Sequence, residues 1–345
     1  MDVNHYRKIL ISQTAFAGDV ILTTPLVQGV KQVFPEAEIH LFVKPDTSNL
    51  LKNNPHIDII HRYDKRGSER GLTALLRWMG ILRKEHFDAA FVPHRSLRSA
   101  VLVWGAGIPR RIGFRRSVGS FLFTDVVPYV SRSHEVDRNL QLLRVFNREG
   151  MKFRPELYPG PEERNEVDRF FNEMRIETNK KMLAMAPGSV WFTKRWLPEG
   201  FAEVAHRIWR NWGVQPILVG GKEDEYLASR IAGQQNGYIV NGAGKLSLLA
   251  SAELIRRCSA ILTNDSAPLH LAVAVGTPVV AIFGPTVPAF GFAPYGEDHR
   301  IIQKDLDCRP CAIHGGNKCP KGHFRCMKDV TPEEVVEALA PYIAS

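Results

Sequence analysis

The chain has 345 residues, 44% hydrophobic and 23% charged, a size that exceeds what one core usually fills and a composition ordinary for a soluble globular protein. No apolar run reaches the roughly 18 residues of a membrane-spanning helix, and the opening MDVNHYRKIL carries no secretory core, so a cytoplasmic protein is expected. The net charge of +9 is uneven: residues 1–154 hold 24 Lys+Arg against 14 Asp+Glu and residues 155–345 hold 21 against 22, which points to an anionic partner for the first half or to a basic surface kept for solubility.

Apolar, β-branched runs recur at intervals that leave room for helices. KILISQ, AEIHLFV, IDIIHRY, FDAAFVP and RRIGF are the expected strands of the first half, with helix-like PLVQGVKQVF after the first of them. The rhythm breaks at NREGMKFRPELYPGPEERNE, residues 147–166, where Pro, Gly and charge replace it, and a hinge is expected near residues 150–165. It resumes with MLAMAPGS, VQPILVGG, YIVNGAG, AILTNDS and PVVAIFGP, interleaved with EGFAEVAHRIWRNW and LHLAVAVG. Strands alternating with helices predict parallel sheets covered on both faces, and a rhythm that runs twice predicts two doubly wound α/β domains facing a cleft. Residues 1–155 and 156–330 are assigned to them, followed by a C-terminal helix over 331–345 with Thr331 at its N-cap and Glu333 and Glu334 in its first turn.

Ligands of such folds sit at the carboxyl ends of the strands. In ILTNDSAPLHLAVAVGTPVVAIFGP, residues 261–285, a strand ends, Asn264, Asp265 and Ser266 turn, and a helix opens with Pro268 in its first turn. That helix N-terminus is a seat for a diphosphate, with Ser266, Ala267, Pro268 and His270 as donor-binding candidates. Asp265 suits sugar hydroxyls beside the phosphate; a plain N-cap is the competing reading. In APGSVWFTKRWLPEGFAEVA, residues 186–205, Ser189, Thr193 and Lys194 follow a strand, and Lys194 is the cation chosen to neutralise a diphosphate leaving group, against a solvated Lys-Arg pair. Glu223 in VGGKEDEYLA could meet a ribose or base edge, or lie in a solvated helical turn. There is no G-x-G-x-x-G after the first strand of either half and no P-loop motif, which removes most support for dehydrogenases and P-loop enzymes.

AGDVILTTP, HRSLRSA followed by GIPRRIGF, HEVDRNLQLL, APGSVWFTKRW and NDSAPLHLAVAVGTPVVAIFGPT stand in the order seen in the ADP-heptose:lipopolysaccharide heptosyltransferases, glycosyltransferase family nine, which the chain resembles over nearly its whole length. The resemblance implies a GT-B fold of two Rossmann-like domains, the first binding the acceptor and the second the ADP-sugar. It also implies inverting transfer from ADP-L-glycero-D-manno-heptose to the lipopolysaccharide inner core, onto heptose I, with no cofactor or metal in catalysis. The partners implied are the ADP-heptose donor, a Kdo-lipid A acceptor and the cytoplasmic face of the inner membrane, touched peripherally.

In this family the acid of the GD turn resembles the general base that deprotonates the attacking hydroxyl, and Asp19 fits that position. A carboxylate of ordinary pKa, about 4, is ionised at neutral pH, and the apolar VILTTP would raise its basicity; a cap for a helix from Val20 is the structural alternative. The polyanionic acceptor gives the basic half a reason. Arg95, Arg98, Arg110, Arg111, Arg115 and Arg116 fall in loops after expected strands, and Arg95, Arg98 and Arg115 with His134 are the acceptor-binding candidates.

Cys308, Cys311, Cys319 and Cys326 form C-x2-C-x7-C-x6-C, a spacing open to a structural zinc, to reduced thiols or to a disulfide, while Cys258 reads as a small buried hydrophobe. Two rival functions remain: another sugar-nucleotide enzyme on the same architecture, such as an epimerase, and a zinc-bearing nucleic-acid-binding protein. The latter lacks interleaved aromatics and any base-reading module, so no nucleic-acid partner is expected.

Overall fold

The computed structural model describes residues 5–65, 67–233 and 237–344. Its chain divides into two units, Met1–Tyr158 and Pro159–Ser345. The first contains strands β1 (Lys8–Ser12), β2 (Glu38–Val43), β3 (Ile59–Arg62), β4 (Ala89–Val92), β5 (Arg110–Phe114) and β6 (Asp125–Val127), and the second β7 (Met182–Ala186), β8 (Gln215–Leu218), β9 (Val240–Asn241), β10 (Ala260–Asn264), β11 (Val279–Phe283) and β12 (His299–Gln303).

Each unit holds one six-stranded sheet, in the order β3-β2-β1-β4-β5-β6 and β12-β11-β10-β7-β8-β9. Every adjacent pair is parallel, with Ile9 beside both Ile39 and Ala89, and Ile261 beside both Ala184 and Val279. Counted from its own first strand, each sheet therefore has the order 3-2-1-4-5-6 of the doubly wound Rossmann-like fold. The chemistry behind it is plain in β4, β7, β10 and β11, whose side chains are buried throughout and nearly all apolar, as helices on both faces require.

Both expected sets of five strands are present, and each sheet adds a sixth at an edge. β6 has three residues and β12 is largely exposed, so neither carries the apolar run that marks a central strand. The core of the first unit gathers Leu10, Phe42, Trp78, Leu82 and Val103 on one face of its sheet. In the second, Trp196, Phe201, Leu262 and Val280 meet Val335, Leu339 and Ile343 of helix Pro332–Ile343, so this terminal helix is built into the unit. The helix starts as its sequence demands, with the Thr331 hydroxyl accepting from Glu334 N–H and the Glu334 carboxylate accepting from Thr331 N–H at 2.9 Å.

In both sheets the strand order reverses between the first and fourth strands, β1 and β4 in one and β7 and β10 in the other. The crossover helices leave there in opposite directions, opening a crevice at the carboxyl ends where loops and helix N-termini converge.

Candidate functional site

At the switch point of the first unit the chain leaves β1 through Gln13 and Thr14 and enters the short helix Ala17–Ile21. This helix begins three residues before Val20, because Asp19 is its third residue and its carboxylate accepts the Phe16 N–H at 3.2 Å. The structural role foreseen for Asp19 is thus real. The residue is half-buried.

Helix Glu135–Leu140 is tied to this turn by the Asn139 side chain, which donates to the Leu22 carbonyl at 3.0 Å. One helical turn earlier on the same helix, buried Glu135 pairs with Arg138 at 2.7 Å, and Arg138, 1% exposed, also reaches the Tyr129 hydroxyl and the Ser133 carbonyl. Burial pushes the Glu135 carboxyl up to about 7 against the pull of Arg138, and the charge of Asp19 adds to the rise. A carboxyl that titrates near neutrality thus lies within electrostatic reach of Asp19.

On the other flank, after β4, His94 Nδ1 lies 3.1 Å from Thr14 Oγ1 and 3.3 Å from Ser99 Oγ, and Lys65 Nζ donates to Thr14 at 3.0 Å. Burial, followed by the charges of Lys65, Arg95 and Lys44, lowers His94 to about 4, so the ring is neutral at pH 7. Lys44, after β2, is buried, pairs with Asp46 at 2.9 Å and stands 5.4 Å from the Phe16 ring. Lys44, Lys65, His94 and the Glu135–Arg138 pair escaped the sequence reading because they come from four different segments, and only the parallel sheet brings them to one edge.

The expected acceptor-binding residues divide. Arg95 is exposed and stacks 4.3 Å over Tyr129, and Arg115 is exposed, while Arg116 donates to Ser131 Oγ at 2.7 Å. Arg98 donates to the Gly71 carbonyl at 2.7 Å and covers Tyr63. Arg110 and Arg111 stand in β5 itself and not in a loop after it: Arg110 binds Asp125, Tyr6 and the Val145 carbonyl, and Arg111 binds the carbonyls of Ile108, Pro109 and Leu122, so both are spent on the fold. His134 is the N-cap of helix Glu135–Leu140, its Nδ1 accepting Val136 N–H at 3.2 Å.

The second unit's switch point is tighter. Asn264, the last residue of β10, accepts from Trp196 N–H at 3.0 Å and donates to the Pro187 carbonyl at 2.9 Å, locking the loop after β7 onto the end of β10. Lys194 Nζ and Asp265 Oδ2 then meet at 2.6 Å, and the same carboxylate oxygen accepts the Thr286 hydroxyl at 2.6 Å. Asp265 is therefore not an N-cap: Ser266 holds that position before helix Ala267–Ala274, and Ser266, Ala267 and Pro268 are half-exposed at its mouth, with His270 buried one turn in. Lys194 is not a solvated cation either, since its side chain is 13% exposed.

Ser189 accepts from Trp191 N–H at 3.3 Å, whereas the buried Thr193 hydroxyl accepts from Gly316 N–H at 2.8 Å and is occupied from behind. Glu223 is exposed. Its neighbour Asp224 is the acid turned toward the loops: it accepts Gly221 N–H at 3.1 Å, and a Cβ on Gly188 would lie 2.1 Å from its oxygen, which is why that position needs glycine. Burial raises the Asp224 pKa.

Behind this site runs the cysteine loop. Arg309 donates to the carbonyls of Phe283 at 3.1 Å and Thr286 at 2.8 Å and also reaches those of Gly284 and Lys304, fixing the turn that presents Thr286 to Asp265. All five cysteines are free thiols. Cys258 donates to the Leu254 carbonyl at 3.3 Å, and burial pushes it up to about 12. Cys311, Cys319 and Cys326 line one small cavity. Burial opposes ionisation of Cys319, but the N–H groups of Phe324, Lys321, Gly322 and His323 outweigh it and hold that thiol below its usual range. Among the described residues no three His, Cys, Asp or Glu side chains form a set that could hold a metal ion: Cys311 Sγ is turned onto the Cys308 carbonyl at 3.0 Å and Cys308 Sγ lies 3.8 Å from His323 Nε2.

Two Rossmann-like units, one with an acid in the turn at its switch point and the other with a lysine and a helix N-terminus, have the architecture of a GT-B type glycosyltransferase. The family model of glycosyltransferase family 9 (heptosyltransferase) matches residues 76–319, and the chain belongs to that family. Lipopolysaccharide heptosyltransferase 2 of Escherichia coli K12 is 26% identical over 354 aligned positions, spanning 96% of this chain and 97% of that protein. The solved structure of E. coli ADP-heptose LPS heptosyltransferase II superposes with a TM-score of 0.81 at 25% identity, covering 98% of both chains. A glycosyl transferase family 9 structure from Veillonella parvula reaches 0.88 at 22% identity over 100% of this chain and 99% of its own, a likeness of fold. Family membership selects glycosyl transfer over the epimerase and nucleic-acid readings.

Proposed function

We propose that this protein transfers heptose from ADP-L-glycero-D-manno-heptose to heptose I of a Kdo-lipid A-linked inner core, with inversion at the anomeric carbon and no catalytic metal. The observation that carries the reading is the buried Lys194–Asp265 pair beside the N-terminus of helix Ala267–Ala274. That combination offers a cation and backbone N–H groups to a diphosphate and a carboxylate to the adjoining sugar hydroxyls. The names of the relatives, lipopolysaccharide heptosyltransferase 2 and ADP-heptose LPS heptosyltransferase II, support the donor and the acceptor class.

In the proposed reaction Asp19 takes the proton of the acceptor hydroxyl as its oxygen forms a bond to the anomeric carbon. The bond from that carbon to the diphosphate oxygen breaks, its electron pair leaves with ADP, and Lys194 and the helix N-terminus carry the developing charge. Asp265 shares Lys194 with the incoming diphosphate and so holds the lysine in place before the donor arrives. Arg95 and Arg115, exposed at the strand ends of the other unit, serve the anionic acceptor. Zinc uptake at Cys308, Cys311, Cys319 and Cys326 is a separate proposal: it requires Cys311 to leave the Cys308 carbonyl, and no step of transfer runs through it.

The test is transfer from ADP-heptose to defined lipid A–Kdo acceptors bearing no heptose or one, with the product anomer read by NMR. Transfer only to the acceptor bearing one heptose, with inverted configuration and undiminished by a chelator, is expected. Transfer to the heptose-free acceptor alone overturns the acceptor, and a retained configuration overturns the mechanism.

A further inference from the structure

Helices Gly71–Lys84 and Leu97–Gly105 and the turn after β5 make one continuous surface of the first unit. Arg98 donates to the Gly71 carbonyl at 2.7 Å, joining the starts of the two helices. A Cβ on Gly105 would meet Met79 at 2.4 Å, and one on Gly119 would meet Ala100 at 2.5 Å and Leu97 at 3.2 Å, so the second helix touches the first and the turn lies on the second. On this surface Leu72 is 67% exposed, Leu76 55%, Leu97 44%, Trp104 55%, Val118 69% and Phe121 77%. Isolated exposed leucines are ordinary; six large apolar side chains on adjoining elements form a patch that marks a contact surface.

The charges carried by its own segments are of one sign. Residues 70–84 and 89–124 contain ten Lys+Arg and no Asp or Glu. Arg110 and Arg111 are turned inward, and Arg77 pairs with Glu69 from outside these segments, but Arg70, Arg95, Arg115 and Arg116 are exposed. A second copy of this chain would bring like charges together across the same face, which disfavours self-association. An anionic bilayer offers what the face lacks, phosphates for the arginines and an acyl boundary for the apolar side chains.

We infer that this face docks on an anionic phospholipid surface, with Leu72, Leu76, Val118 and Phe121 entering the headgroup layer and the exposed arginines pairing with phosphates. The inference deepens the proposed function, resting on its lipid-linked acceptor: helix Leu97–Gly105 starts two residues after Arg95, so the docked face adjoins the acceptor-binding edge.

The test is co-sedimentation of the full chain with vesicles of phosphatidylglycerol and phosphatidylethanolamine or of phosphatidylcholine alone, for wild type and a Leu72→Ser/Val118→Ser/Phe121→Ser variant whose Tm confirms folding. Expected are salt-sensitive binding to the anionic vesicles only and a loss of about tenfold or more in the variant. Transfer to a vesicle-embedded acceptor falls with it, while transfer to a deacylated soluble acceptor is unchanged. Equal binding to both vesicle types, a variant that sediments like wild type, or a wild-type dimer that the variant abolishes overturns the inference. Vesicle binding lost in the variant, with no heptose transfer by either protein, sustains this face and refutes the proposed function instead.

Discussion

The two units share one strand order and differ almost entirely in what stands at their switch points. In the first, an acid shares the strand ends with Lys44, Lys65, Arg95 and Arg138, drawn from four separate segments, with a second carboxyl held near neutrality by burial. In the second, one lysine and one aspartate form a closed pair, braced by Asn264 and Thr286. The same scaffold thus carries a broad spread of cations in one case and a compact lysine–aspartate pair in the other. Loops decide this, because the sheets they rise from are interchangeable in topology.

The contrast can be broken most severely at Asp19. Asp19→Asn keeps an oxygen that can accept the Phe16 N–H, so the helix start survives while the base is lost; kcat should fall by about 10²–10⁴ with donor binding intact. Calorimetry with ADP-heptose and a single-turnover assay check both halves of that expectation, and retained turnover removes Asp19 from the mechanism. Lys194→Ala should lower kcat by about 10²–10³, since it takes away the charge that meets the leaving group. A variant hurt only in donor KM would make Lys194 a binding residue rather than a catalytic one.

A milder effect separates the arginines. Arg95→Ala should raise the acceptor KM about tenfold and leave the donor KM alone, whereas Arg98→Ala, which loses its bond to Gly71 and its cover of Tyr63, should lower Tm. The next expectation concerns pH. Glu135 keeps a proton up to about 7 in the folded chain and gives it up near 4.5 when its surroundings are lost. Between those values the unfolded state binds fewer protons, so this group makes stability fall as pH rises through the window and adds no slope above it. Glu135→Gln should flatten the difference in urea midpoint between about pH 5 and about pH 8; an unchanged slope would assign the titration elsewhere. Chelator treatment should have the smallest effect, leaving turnover unchanged, as a zinc-free and a zinc-loaded sample assayed side by side would show.

How much of this was legible depended on where the signal lay. Central strands announce themselves because burial on both faces demands unbroken apolar runs, as in PVVAIFGP, and a residue directly following such a run is placed by its strand, which is how Asp265 could be named. Edge strands such as β6 carry no such run. Helix Ala17–Ile21 starts earlier than its apolar residues indicate because a carboxylate reaching back to Phe16 sets its first turn. The partners that define each site, Thr286 and Arg309 around Asp265 or Lys65 and Thr14 around His94, lie tens of residues apart, and one sequence holds no record of which loops meet. Nothing in KEDE says which acid faces inward, so the sequence points to Glu223 where the structure turns Asp224 toward the loops.

Arg309 has one further consequence. Its guanidinium is partly buried and its bonds go to the carbonyl oxygens of Phe283, Gly284, Thr286 and Lys304 and to the Gln303 amide oxygen, dipoles that stabilise the cation without cancelling it. Through Thr286 it stands one residue removed from the Lys194–Asp265 pair, so a second cation lies close behind that pair. Under the proposed function a nucleotide diphosphate would meet that second charge as well as the direct contacts, and its association should weaken as ionic strength screens it.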